Sequence, residues 1–184
     1  MRFIDPRHDR WHRVEGEDGP IPHPDPQADR LLTLEQWHAV RETWPQGLTT
    51  GVVLPNTLDV DALADDLRGP QPRLALVVLQ FPKWTDGRAY SQARVLRARH
   101  RFGGEVRAIG EVLVDMLPLL QRTGFDAVQL RRDQSVEAAV RALGFFPGHY
   151  QGDVLQPKPA FARDLQAETT ATPRDAGLFA GQGI

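Results

Sequence analysis

A short loop after a predicted buried strand concentrates the side chains best able to bind a small anion. The strand is the apolar run over residues 74–81, and an amphipathic helical pattern over residues 90–102 begins soon after the loop. Two cations and one carboxylate lie in the loop itself: Lys83, Asp86 and Arg88. A helix N-terminus and neighbouring cations favour a bound anion, whereas Asp86 and Gly87 also suit a plain capped turn. The loop therefore indicates either an anion site or a turn with solvated charges.

Two arginines further along the chain add to this cationic group. Arg94 lies one turn into the predicted helix and shares a face with Arg97 and Arg101. Arg107 lies in a predicted strand and points to the same face as Glu105, because side chains alternate along a strand. Since loops that follow parallel strands meet at one edge of the sheet, we expect these groups to surround one polar pocket.

The predicted pocket has five polar members: Lys83, Asp86, Arg88, Arg94 and Arg107. Two aromatic side chains would form its wall, Trp84 and Tyr90. Three further residues would support it: Ser91, Glu105 and Asp115. Guanidinium groups bind oxyanions through paired hydrogen bonds, so the cationic excess suits sulfite, sulfate or a phosphate group. A closed network of ion pairs without a ligand is the competing interpretation.

The composition excludes several classes of chemistry. The 184 residues contain no cysteine, which excludes disulfides, thiol catalysis and thiolate ligands for zinc or iron–sulfur clusters from this chain. The six histidines form no metal-binding motif, so we expect no metal site, and no dinucleotide, P-loop or nucleophile-elbow motif occurs. The net charge of −2 provides no field that would attract nucleic acid. No apolar run approaches the ~20 residues of a membrane helix and no signal peptide is visible, so we expect a cytoplasmic protein.

Strands alternate with helices along the middle of the chain, a pattern typical of parallel βα units. We predict an α/β fold with a mostly parallel sheet of about four βα units, either a partial βα barrel or an open flavodoxin-like sheet. A single domain is expected over residues 33–152. A strand pair and a Pro-rich connection would precede it over residues 1–32, and an extended or disordered tail would follow over residues 153–184. The exposed edges of such a sheet favour a homodimer.

Local signals mark three of the predicted helices. Thr33 and Gln36 have the spacing of a capping box that opens the first helix. Ser135 is placed to cap the last helix. A helix predicted over residues 112–123 contains Pro118 as its weak point, because proline disrupts a helix interior.

Several segments resemble a bacterial family called domain of unknown function 934. They are residues 81–88, 90–94, 96–97, 104–110 and 124–126, within a match from about Leu32 to Gln151. Two positions depart from the family's pattern: Trp84 stands where Phe is usual, and Met116 stands where many relatives have Gln. The first change preserves an aromatic side chain, and the second weakens any role for the neighbouring Asp115.

The resemblance implies a role in assimilatory sulfate reduction, because members of this family are often labelled as probable oxidoreductases involved in sulfite reduction. It implies sulfite reductase or another sulfate-assimilation enzyme as the partner, and it names no catalytic residue. The chain carries no thiol, cluster ligand or recognisable flavin or nicotinamide motif, so any cofactor stays unidentified. An accessory protein that binds a small oxyanion or docks on the reductase is the preferred interpretation, with an oxidoreductase as the alternative.

Overall fold

A computed structural model describes residues 1–68, 72–146 and 148–162 of the chain. The strands in chain order are β1 (Arg2–Phe3), β2 (His12–Arg13), β3 (Glu15–Gly16), β4 (Gly19–Pro20), β5 (Arg30–Thr33), β6 (Thr50–Leu54), β7 (Leu76–Phe81), β8 (Glu105–Gly110) and β9 (Ala127–Val128). The α-helices are α1 (Leu34–Val40), α2 (Ala64–Leu67), α3 (Arg88–Ala98), α4 (Leu117–Thr123) and α5 (Val136–Leu143). Short 3₁₀ helices cover Val60–Leu63, Val114–Met116 and Ala160–Ala162.

Seven of the strands form one curled, all-parallel sheet in the order β1-β9-β8-β7-β6-β5-β2, which makes a half-barrel. The predicted α/β fold with a parallel sheet is confirmed, and the partial barrel is the form that it takes. The prediction of about four strands was too low. It missed β5, which is only four residues long, and it placed β1 and β2 elsewhere.

The first two strands do not pair with each other, contrary to prediction. β1 pairs with β9 at one edge of the sheet, and β2 pairs with β5 at the opposite edge. Residues 4–11, which we call the strap, join these two edges. A flat sheet with six interstrand gaps of about 4.8 Å would be roughly 29 Å wide, near the full extension of so short a segment. Because the strap contains a turn in which His8 N–H donates to the Asp5 carbonyl, only a curled sheet lets it reach across.

The two faces of the sheet carry different cores. Alternate strand residues such as Leu32, Val77 and Val106 pack under the helices and form the larger cluster. The opposite face, which we call the inner face, carries a small cluster of five residues: Trp11, Leu31, Val53, Leu76 and Val78. Trp11 belongs to the strap, so the strap crosses the inner face and covers part of it.

Predicted helix signals explain how the elements begin. Thr33 Oγ1 accepts from Gln36 N–H at 3.2 Å while Gln36 Oε1 accepts from Thr33 N–H at 2.8 Å, which confirms the capping box. Ser135 Oγ accepts from Ala138 N–H at 3.1 Å and so caps α5. Pro118 lies in the first turn of α4, where its missing N–H is not needed, and therefore does not weaken the helix.

The ends of the described chain are attached to this sheet. Residues 1–32 contribute β1, β2 and most of β5 to it, and they also form a separate antiparallel pair, β3 with β4. Val154 N–H donates to the Arg122 carbonyl at 3.2 Å, so the first residues of the predicted tail contact α4. The part of that tail over residues 163–184 lies outside the described residues. Within the described ranges, no helix is both long and apolar enough to cross a membrane.

Candidate functional site

The predicted loop between β7 and α3 is a tightly hydrogen-bonded turn. Asp86 accepts from the Arg88 guanidinium at 2.6 Å and 3.0 Å and from the Arg88 backbone N–H at 3.2 Å. Asn56 Nδ2, from the loop after β6, donates to the same carboxylate at 2.8 Å. These bonds, those from the Arg88 side chain above all, hold the pKa of Asp86 well below its usual range. Asp86 therefore fixes the turn and neutralises Arg88.

The side chains around this turn point in different directions. Lys83 and Trp84 are exposed at its tip, with Trp84 58% exposed. Tyr90 instead packs against Phe81 on the helical face, with ring centroids 5.1 Å apart, and burial raises its pKa. The two predicted wall residues therefore do not face each other. Ser91 and Asp115 are both exposed on their helices.

Arg107 lies on the inner face, in a chain of charges that crosses three segments. Its side chain is only 4% exposed. Nε donates to Glu105 Oε1 at 2.8 Å, and Nη1 donates to Asp9 of the strap. Glu105 Oε2 accepts in turn from Arg2 of β1 at 2.6 Å. Arg107 Nη2 donates to none of the described residues.

A cavity of about 370 Å³ opens on the inner face beside Arg107. Arg7 and Arg13 stand at its rim with largely exposed side chains. Its lining combines polar side chains with apolar ones from three strands: Leu31, Val78 and Ile109. A second cavity of similar volume lies along the strap and is also bordered by Asp9, Trp11 and Arg107. The buried guanidinium is thus reached from both cavities.

Trp11 lines both cavities and carries an unused, buried hydrogen-bond donor. The residue is only 5% exposed, and its Nε1 has no hydrogen-bond partner among the described residues. A buried N–H without a partner costs about 1–3 kcal/mol, so such groups call for a ligand or an ordered water. The guanidinium of Arg10 lies 5.0 Å from the indole ring centre and keeps the surroundings cationic.

The structure does not bring the five predicted residues around one pocket. Arg94 is exposed on α3, which packs its Ala89, Ala93 and Leu96 side chains onto the helical face of the sheet. It borders a different cavity, of about 350 Å³, together with Asp153. Arg107 points to the opposite face. The loops after β7 and β8 begin side by side at one edge of the sheet, whereas Arg94 on its helix and Arg107 on its strand lie on different sides of the sheet.

A second polar cluster follows β8 and β9 at the same end of the sheet. Arg131 donates to Glu111 at 2.8 Å and to Asp133 at 2.6 Å and 2.7 Å. The side-chain bond from Arg131 is the main cause that lowers the pKa of Asp133 to about 2. The two carboxylates exceed the single arginine in formal charge, so this cluster does not attract an anion.

Sequence reasoning missed the strap residues of the site. Asp9 and Trp11 sit in a polar N-terminal segment, and nothing local shows that this segment crosses the sheet. The one usable signal was a tryptophan among charged residues, since a large aromatic side chain seeks burial. No group of three or more side chains able to hold a metal ion occurs in the part of the chain that the structure describes.

Comparison with known families gives one match. A family model described as a bacterial protein of unknown function (DUF934) covers residues 51–161, which include most of β6 and all of β7, β8 and β9, with Arg107 in β8. Neither the curated proteins nor the solved structures give a significant match to the chain.

Proposed function

The chain belongs to the bacterial DUF934 family, and from this membership and its buried arginine we propose that it is an accessory protein of assimilatory sulfite reduction that binds a small oxyanion. The observation that carries the proposal is Arg107, a guanidinium buried on the inner face of a half-barrel beside a cavity. The pathway is carried over from the resemblance described in the sequence analysis, which implies a role in sulfite reduction.

Arg107 has the chemistry that an oxyanion site requires. Two carboxylates orient the guanidinium from the Nε and Nη1 sides, and Nη2 keeps its donors for a ligand. A preoriented guanidinium binds oxygens of sulfite, sulfate or phosphate with little loss of side-chain entropy. The unpartnered Trp11 N–H provides a second donor in the same lining.

Calorimetric titration with sulfite, sulfate and phosphate tests the proposal. The wild type should bind at least one of them, and Arg107→Lys should weaken binding at least tenfold, which is roughly 1.4 kcal/mol. Lysine keeps the charge between Asp9 and Glu105, so the fold is preserved, but it loses the planar pair of donors. No binding by the wild type would refute the oxyanion function.

Arg94→Ala is the matched control, because it removes an exposed arginine on the other side of the sheet. We expect it to leave the affinity within about twofold, an effect well below the tenfold loss above. A role in anion binding for the remaining predicted residues, Lys83, Asp86 and Arg88, stays a prediction that Arg88→Ala tests. Loss of binding in Arg94→Ala or Arg88→Ala, with none in Arg107→Lys, would move the site to the helical face or to the loop.

The exposed Trp84 favours docking on a partner enzyme as a second part of the role. Trp84 stands beside exposed Lys83 on a turn that Asn56, Asp86 and Arg88 hold rigid. Rigid, exposed tryptophans are typical anchors of protein interfaces. Immobilised sulfite reductase should retain the wild type and the Trp84→Phe variant, and should release Trp84→Ala. Equal retention of both variants would exclude this loop as the anchor.

An oxidoreductase activity is the alternative that the family label offers. It would require a redox cofactor, so the purified protein should show turnover beside sulfite reductase, with a visible absorption band for a flavin or haem or a dependence on added nicotinamide cofactor. A colourless protein that binds an oxyanion would support the accessory role.

A further inference from the structure

We infer that the inner-face cavity takes an organic oxyanion, a sulfonate, carboxylate or phosphate carried on an apolar body about the size of an aromatic ring. This inference rests on the proposed oxyanion site at Arg107 and specifies the class of ligand that the site is built for.

The size of the cavity argues for a ligand larger than an inorganic ion. Its volume of about 370 Å³ would hold roughly a dozen water molecules at about 30 Å³ each. A bare sulfite or sulfate ion has four or five non-hydrogen atoms and would fill only a small part of this space. The volume instead falls within the range of sites for organic small molecules, about 300–1,000 Å³.

Polar and apolar groups are separated along the cavity in a way that matches such a ligand. Val78 is the direct neighbour of Arg107 in the β7–β8 register, about 5 Å away across the strands. Ile109 follows Arg107 on the same face, roughly 7 Å further along β8. An oxyanion held at Arg107 would therefore place any group attached to it against Ile109, the partly exposed apolar residue of the lining, with the buried Val78 and Leu31 behind it.

Trp11 covers this apolar wall from the strap side. Its ring packs in one cluster with Leu31 and Val78, so a flat apolar body would lie beside an aromatic surface. Its unpartnered Nε1 marks where a polar atom of the ligand is expected, because buried donors are nearly always satisfied. Gln129 adds a half-buried amide at the far side of the lining.

Three probes separate the headgroup from the body: sulfate, methanesulfonate and benzenesulfonate, each titrated calorimetrically into the full chain. Benzenesulfonate should bind at least tenfold more tightly than methanesulfonate, since both carry the same headgroup and only the ring differs. Arg107→Lys should weaken both sulfonates at least tenfold, because both depend on the guanidinium.

Ile109→Thr is the variant that addresses the apolar part of the lining, since it places a hydroxyl at a partly exposed position that tolerates a polar group. It should reduce the advantage of benzenesulfonate over methanesulfonate at least fivefold and leave methanesulfonate unchanged. Val140→Thr, on the exposed face of α5, is the matched control and should change neither affinity.

The outcomes distinguish the inference about the organic ligand from the proposed oxyanion site on which it rests. Equal binding of all three probes, still sensitive to Arg107→Lys, would overturn the organic ligand and leave the oxyanion function standing. Tight benzenesulfonate binding that Ile109→Thr does not change would place the ring elsewhere and also overturn the inference. No binding of any probe would refute both.

Discussion

Replacing Gly110 by alanine should destabilise the protein by about 2–5 kcal/mol, because this position excludes a side chain. Gly110 ends β8 with a φ of +97°, and an added Cβ would lie 2.4 Å from the Phe81 carbonyl oxygen. The positive φ alone costs about 1–2 kcal/mol for an L-residue. The Phe81 carbonyl also accepts from Glu111 N–H at 2.8 Å, and displacing it would forfeit about 1–3 kcal/mol.

Gly47→Ala separates the two contributions. Gly47 has a φ of +86°, and an added Cβ would meet no atom within 4 Å, so only the backbone strain applies. Urea unfolding followed by tryptophan fluorescence measures both variants. With a slope of about 2 kcal/mol per molar urea, the Gly110→Ala midpoint should fall by roughly 1–2.5 M. The Gly47→Ala midpoint should fall by less than about 1 M.

Equal midpoints for the two variants would refute the reasoning. Such a result would show that β7 and β8 adjust to the added methyl group, so that the close approach of Gly110 to Phe81 does not exclude a side chain. A change in the slope, rather than in the midpoint, would instead report a loss of two-state unfolding and would require a second probe.

Four further predictions can be tested with the same purified protein. Thr33→Ala removes the cap of α1 and should lower the free energy of unfolding by about 1 kcal/mol, with Thr33→Ser as the control that keeps it. The pKa of Asp133 is lowered from 3.8 to about 2, chiefly by Arg131, and that of Asp86 is lowered further. The contribution of these two carboxylates to the free energy of unfolding should therefore be complete above about pH 4 and decline towards pH 2. A urea midpoint that stays constant between pH 4 and pH 2 would contradict this prediction. Truncation after Gln156 should leave the melting temperature within about 5 °C, since the residues after it that the structure describes are largely exposed. Light scattering at micromolar concentration should show a homodimer, because apolar side chains are exposed on α5, and a monomer would contradict this.

The parts of the fold that the sequence predicts are those with a local cause. Alternating strand and helix patterns predict a parallel α/β sheet because parallel strands need crossover helices. The Thr33 and Ser135 caps are set by side chains within three residues of their partners, so they are visible in the sequence. The even spacing of Glu105 and Arg107 likewise placed both on one face, where they are hydrogen-bonded.

The parts that escaped prediction depend on contacts between distant segments. β1 and β2 are two residues long, too short for any periodic pattern, and their positions at opposite edges depend on the curl of the whole sheet. Such short edge strands also protect the sheet from pairing with another chain. The prediction of a homodimer therefore depends on the exposed face of α5 and not on the sheet edges. The five predicted site residues do not surround one pocket for a related reason, since proximity to a sheet edge does not determine on which face of the sheet a side chain lies.

The burial of Arg107 is hard to explain by stability. Neighbouring positions of the inner face, Val53 and Val78, hold apolar residues that pack without polar partners. Replacing a buried ion pair by apolar residues of similar volume is often neutral or stabilising, so the chain of charges gives the fold little that valine or leucine would not. Trp11 N–H adds a buried donor that lowers stability as long as it has no partner. Because both costly groups border the same cavity, a ligand that bonds to them accounts for their presence better than packing does.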